Sequence, residues 1–230
     1  MLITKEEKLE NILIQMANFR ADDNTKITAG FMARKYLQCT YDLFSSWRSE
    51  IGYILEVSYN ENKFWSFFEE FCRESENGSW SLMCMNNSKV EKEKFKFFST
   101  VRDILLSRGD IQKIILLLNN VTDNSSPNKI IGLAPFPLTA ILFASEEENY
   151  MVLDKPVLNY FGFSNYGEAL PEYREIINKS RDYSKKFNLP MWYINKAYAI
   201  LSSQCYLEVK KLNGRCRSMK DEDFSYQFEC

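Results

Sequence analysis

The chain contains no histidine. That absence removes Ser-His-Asp and Cys-His catalysis, zinc or haem held by histidine, and the common proton shuttle near neutral pH. Any acid–base chemistry falls to Asp, Glu, Lys, Tyr or Cys. Glycine and proline are scarce, 8 and 6 among 230 residues. A large all-β protein needs more turn formers than that, so composition favours helices. The six cysteines (Cys39, Cys72, Cys84, Cys205, Cys216, Cys230) include no C-x-x-C pair, which argues against a zinc site and suits reduced, buried thiols. No stretch approaches the roughly 18 apolar residues of a membrane span. The opening MLITKEEKLENI is charged early and lacks the apolar run of a signal peptide. The expectation is a cytoplasmic protein with no membrane partner. A net charge of −2 lacks the basic excess of an indiscriminate nucleic-acid coat, though it leaves room for a local basic face. Glycine-rich nucleotide loops, a P-loop and nucleophile motifs are missing too, so no cofactor and no metal is expected.

What is present reads as helix. Hydrophobic residues make up 45% and aromatics 15% of the chain, enough for a ring-filled core. TKEEKLENILIQMANF opens with Thr4 and Glu7 at capping-box spacing and sets Leu9, Ile12, Leu13 and Met16 on one face. Residues 28–57 read as one or two further helices, with Trp47, Ile51 and Ile54 among their apolar positions. NKFWSFFEEFC carries Phe64, Phe67, Phe68 and Phe71 at i, i+3, i+4, i+7. Ser88 and Glu91 repeat the capping-box spacing ahead of another helix, which Gly109 ends; Asp110 caps the next. WSLMCM could form a short strand but has no obvious partner. Pro171 and Pro190 are placed in first turns of late helices, and the tail from Asn213 is polar and irregular. TDNSSPNK marks a soft boundary. The expected fold is all-α and two-lobed, with an N-terminal helical lobe over 1–122 and a C-terminal lobe over 127–230 carrying a hairpin-like element and the polar tail.

That element is NKIIGLAPFPLTAILFAS. Gly132 permits positive φ. Pro135 and Pro137 forbid a continuous helix and push Ala134 and Phe136 towards extended backbone. LTAILFAS then resumes helical spacing. A helix start of this kind exposes amide N–H groups and the positive end of the helix dipole, which suits a phosphate. Downstream, Asp154 precedes Lys155 and Pro156, the pattern of an N-cap with proline in the first turn.

Together, IIGLAPFPLTAILFAS and YMVLDKPVLNYFGF resemble the helix-hairpin-helix DNA glycosylase superfamily, over residues 127–163. In that family a G-hydrophobic-G-x-x-T-A hairpin binds strand phosphates through backbone amides, and a later V-D supplies a catalytic aspartate. By position Gly132 matches the first hairpin glycine, Thr139 and Ala140 the T-A pair, and Asp154 the aspartate. The resemblance implies a DNA-binding or DNA-repair role: an N-glycosylase (a hydrolase) with Asp154 stabilising positive charge at the sugar, or an accessory recognition module near nucleases of defence systems. The departures are specific. Ala134 and Pro135 stand where the second glycine belongs, the two prolines have no N–H, Leu138 replaces the lysine of lyase-competent members, and no iron–sulfur cysteine cluster follows.

Around this core, Lys155, Lys179 and Arg181 are further candidate DNA contacts, with Lys185 and Lys186 beside them on NKSRDYSKKF. Trp192 and Tyr193 are candidate stacking groups for an extruded base, or core residues at helical spacing. Glu146, Glu147 and Glu148 form an acidic run that could hold Mg²⁺ with water and phosphate, or a solvated loop that repels DNA. The rival reading is a non-catalytic helical interaction subunit of a larger complex, with a protein partner. Whether the chain is an enzyme stays open at this level.

Overall fold

A computed structural model describes residues 4–18, 47–77 and 87–212. Among these residues every regular element is a helix and there is no strand, as the composition predicts. The elements are α1 (Lys5–Ala17), α2 (the helical stretch 47–53), α3 (Glu61–Asn77), α4 (Asn87–Glu91), α5 (Lys94–Leu106), α6 (Ile111–Thr122), α7 (Pro135–Ser145), α8 (Lys155–Phe161), α9 (Tyr166–Ala169), α10 (Tyr173–Phe187) and α11 (Met191–Leu212). Most of the region before Trp47, the WSLMCM segment and the tail lie outside the described residues. Among the described residues no helix is long and apolar enough to cross a membrane.

Local signals account for most helix ends. Thr4 and Glu7 form the predicted reciprocal capping box of α1. Asp110 accepts the Lys113 N–H at 3.1 Å and starts α6 just after Gly109, whose φ of +93° turns the chain out of α5. The pattern at Ser88 behaves differently. Ser88 lies inside the short α4, residues 92 and 93 form a turn, and α5 begins at Lys94 with no side-chain cap. Pro137 also departs from expectation. It sits within the first turn of α7, where a missing N–H breaks no helical bond, so Phe136 is helical and only Ala134 is extended. Pro171 lies just outside the first turn, immediately before the N-cap Glu172 of α10, and Pro190 immediately precedes α11.

The helices pack in two sets. In one, α3, α4 and α6 surround α5; in the other, α1, α8 and α10 pack against α11. The first set holds the phenylalanine cluster: Phe64, Phe67, Phe68 and Phe71 are all buried, and Phe97 of α5 meets Phe64 and Phe68 edge-on at 5.0 and 4.8 Å. Helix α7 joins the sets. It packs on α5 and α6, and its Phe143 lies 5.7 Å from the Trp192 ring of α11. Every residue from Pro135 to Ser145 is buried, the mark of a central helix that is apolar all round. One contiguous core runs from Leu9 to Leu201 across the TDNSSPNK break.

Candidate functional site

The segment between α7 and α8 decides where the predicted site residues sit. Tyr150, Met151, Val152, Leu153 and Asp154 are all buried, without regular structure. A buried irregular backbone must find partners for its polar groups, and side chains supply them. Thr139 donates to the Phe136 carbonyl at 2.9 Å and accepts the Leu153 N–H at 3.0 Å. The Tyr173 hydroxyl donates to the Met151 carbonyl at 2.6 Å, and the Asn195 amide to the Val152 carbonyl at 3.4 Å. Thr139, predicted as a phosphate contact, is fully buried and holds this segment to α7.

Asp154 is the N-cap of α8, accepting the Val157 N–H at 3.0 Å. Its side chain is buried together with that of Lys196 on α11. Burial pushes the Asp154 carboxyl up to about 6, against the pull of the Val157 amide and the Lys196 charge. Burial likewise draws the Lys196 ammonium down to about 8, with Asp154 opposing. Each of these two buried charges thus opposes the desolvation of the other, and the ammonium lies 5.2 Å from the Trp192 ring centre. Trp192 is 0% exposed and Tyr193 6% exposed, so both rings stand in the core and present no open face to a base. Gly132 has a φ of +90° in the turn before α7. The first three positions of that helix read Pro-Phe-Pro, so two of the three carry no amide N–H, and Phe136 between them is buried.

The basic cluster of NKSRDYSKKF is divided by the helix it lies on. Tyr173, Ile176, Ile177, Ser180 and Tyr183 form the buried face of α10. On one flank Lys179 and Lys186 meet Glu6 and Glu10 of α1, each at 2.6 Å. These are exposed pairs of small energetic weight, but they occupy the lysines. Lys155 is exposed at the start of α8.

On the other flank, Arg174, Asn178 and Arg181 lie on successive turns beside Ile177. They form one wall of a cleft of about 310 Å³ whose lining Glu146, Asn149, Tyr150, Gly109 and Ile111 complete, with Arg181 reaching the Asn149 carbonyl. Arg181 is among the expected anion contacts; Arg174 and Asn178 are additional lining groups. Their signal was present in the sequence, as an Arg-x-x-x-Asn-x-x-Arg row offset from the buried face.

The lining residues differ in how their polar groups are spent. Glu146 pairs with Arg108 at 3.4 Å through one oxygen and accepts the Asn149 amide at 3.2 Å through the other. The Tyr150 hydroxyl accepts the Gly109 N–H at 2.9 Å, and burial raises the pKa of this hydroxyl, so it keeps its proton. Arg181 makes one long bond, 3.4 Å, to the Asn149 carbonyl. No described residue bonds to the side chains of Arg174 or Asn178. Of the acidic run, Glu146 serves this cleft, Glu147 pairs with Arg48 at 3.5 Å, and Glu148 is exposed. Among the described residues no group of three or more His, Cys, Asp or Glu side chains could hold a metal ion. Comparison with protein-family models, with curated proteins and with solved structures finds no match to this chain.

Proposed function

We propose that this protein is a non-catalytic helical binding protein that engages an anionic group at the cleft beside α10. The observation that carries this reading is the imbalance of that cleft. Arg174, Asn178 and most of Arg181 remain unspent as donors, while the one carboxylate in the lining, Glu146, is already satisfied. Unspent guanidinium groups in a concave site recognise carboxylate, phosphate or sulfate through charge-assisted bonds. Catalysis is not needed to explain the remaining polar residues: Asp154 caps a helix and balances Lys196, and Thr139 satisfies a buried amide. The test is calorimetric titration at low salt with phosphate, pyrophosphate, sulfate and citrate. At least one should bind below about 1 mM, a free energy of about −4 kcal/mol, and R174A/R181A should abolish it. A wild-type protein that binds none of the four refutes the reading.

A second reading, DNA binding, is favoured by two observations: Arg181, among its expected phosphate contacts, lines this cleft, and Lys155, another of them, is exposed. Against it, Thr139 is internal and Lys179 is paired with Glu6. An N-glycosylase built on Asp154 further requires solvent and a sugar to reach a carboxylate that is 7% exposed. Titration of labelled duplex DNA containing an abasic analogue, at low salt where electrostatics are least screened, separates the readings. Binding that weakens in R181A supports the DNA role, and base release abolished by D154N with binding retained supports the glycosylase. The absence of any binding removes both.

A further inference from the structure

The cleft carries enough chemistry to name its ligand class, and the inference rests on the anion-binding reading above. We infer that the cleft receives the dianionic head of a small phosphate monoester. Arg108 and Glu146 neutralise one another at the rim. Asp110, adjacent in sequence, turns its carboxylate to the Lys113 amide of its own helix. The charged groups lining the cleft are two guanidinium groups, Arg174 and Arg181, and one carboxylate, Glu146, whose charge Arg108 balances; the Asp110 and Glu148 carboxylates do not line it. A carboxylate or a phosphodiester brings a single negative charge and leaves one guanidinium uncompensated. A phosphate monoester brings close to two and three terminal acceptor oxygens.

The donors match that number. Arg174 and Arg181 present planar N–H forks from the same helix face, Asn178 stands between them, and the Tyr150 hydroxyl retains its proton for donation. Of the acceptors in the lining, the Glu146 oxygens and the Asn149 carbonyl are already bonded, so the lining repels an oxyanion less than its composition suggests. At about 310 Å³ the cleft lies at the small end of ligand cavities, which run from roughly 300 to 1,000 Å³. It has room for an organic group beyond the phosphate, against Ile111 and Ile177. That size favours a free small molecule over the internal phosphates of a polymer.

The experiment compares a matched pair on the full chain: adenosine 5′-monophosphate, a monoester, and its 3′,5′-cyclic form, a monoanionic diester with the same base and sugar. Inorganic phosphate serves as competitor. The monoester should bind at least about ten-fold tighter than the diester, and inorganic phosphate should displace it. R174A and R181A should each weaken it about ten- to a hundred-fold, the range for losing a charged hydrogen-bond partner, with unchanged melting curves. K89A, on α4 and outside the cleft lining, should leave binding unaltered. Equal affinities for the two nucleotides, both sensitive to R174A, would overturn the monoester assignment while leaving anion binding intact. A 5′-phosphorylated oligonucleotide that binds ten-fold tighter than both the mononucleotide and its 5′-hydroxyl counterpart would also overturn it, in favour of a nucleic-acid end. Failure of every anion removes this inference and the reading beneath it together.

Discussion

Replacing Asp154 with asparagine isolates the charge of this side chain from its capping role. Asparagine caps helices about as well as aspartate, so the bond to the Val157 amide can persist while the negative charge disappears. Lys196 then stays buried with the favourable Asp154 charge removed. It can stay ionised at a high desolvation cost, or give up its proton. From an ordinary value of 10.5, deprotonation at pH 7 costs about 5 kcal/mol, at about 1.4 kcal/mol for each decade of proton affinity. That figure bounds the loss from above. Breaking one side of a buried pair typically costs about 3–5 kcal/mol, so D154N should lose about that much. K196M leaves Asp154 to take up a proton, and from 3.8 the same reasoning bounds its loss near 4 kcal/mol. The double variant carries neither charge and should fall within about 1–2 kcal/mol of the parent, or exceed it. Urea denaturation at pH 7, followed by tryptophan fluorescence and circular dichroism, measures all three. Losses that simply add in the double variant refute the coupling. The pH dependence carries a second signature. The raised Asp154 carboxyl contributes stability that is fully present below its ordinary value of 3.8 and is lost as pH rises through about 6. The lowered Lys196 ammonium contributes stability fully present above 10.5 and lost as pH falls through about 8. D154N should erase the acid-side change and displace the alkaline one to lower pH.

Two further outcomes follow from the fold. Thr139→Val removes both the acceptor for the Leu153 N–H and the donor to the Phe136 carbonyl; it should cost about 1–3 kcal/mol in urea unfolding, and Thr139→Ser should recover most of it. Gly162 ends α8 at a φ of +83°, and an added Cβ there would touch nothing within 4 Å. Gly162→Ala should therefore cost only the left-handed backbone penalty, about 1–2 kcal/mol by thermal melt, and a larger loss would mean that the site is sterically closed.

Features encoded within one turn of helix were legible in the sequence. The Thr4–Glu7 box, the caps at Asp110 and Asp154 and the phenylalanine row of α3 each depend on residues three or four apart. Ser88 misled because its spacing is equally compatible with the interior of a short helix that breaks before α5. Pro137 misled because a proline interrupts a helix only beyond its first turn, and the start lies at Pro135. The candidate site was less visible. Its arginine face is written on α10, but the fate of the neighbouring lysines is decided by Glu6 and Glu10, more than 170 residues earlier. Thr139 shows the same limit: its local pattern suits a helix start, while its partner, Leu153, is fixed by a buried segment that no periodicity announces.

The clasp of α1 on the far end of the chain has a consequence for biosynthesis. Lys5 donates to the Asn159 and Tyr160 carbonyls at the end of α8, at 2.7 Å each, and the apolar stripe of Leu9, Ile12, Leu13 and Met16 belongs to the set built around α11. At translation rates of about 5–20 residues per second, the stripe waits roughly 10–40 s on the ribosome before α11 exists to cover it. Throughout that interval the nascent helix displays an oily face to its surroundings, so a trigger chaperone, or a transient shelter within the growing polypeptide, has its natural target there.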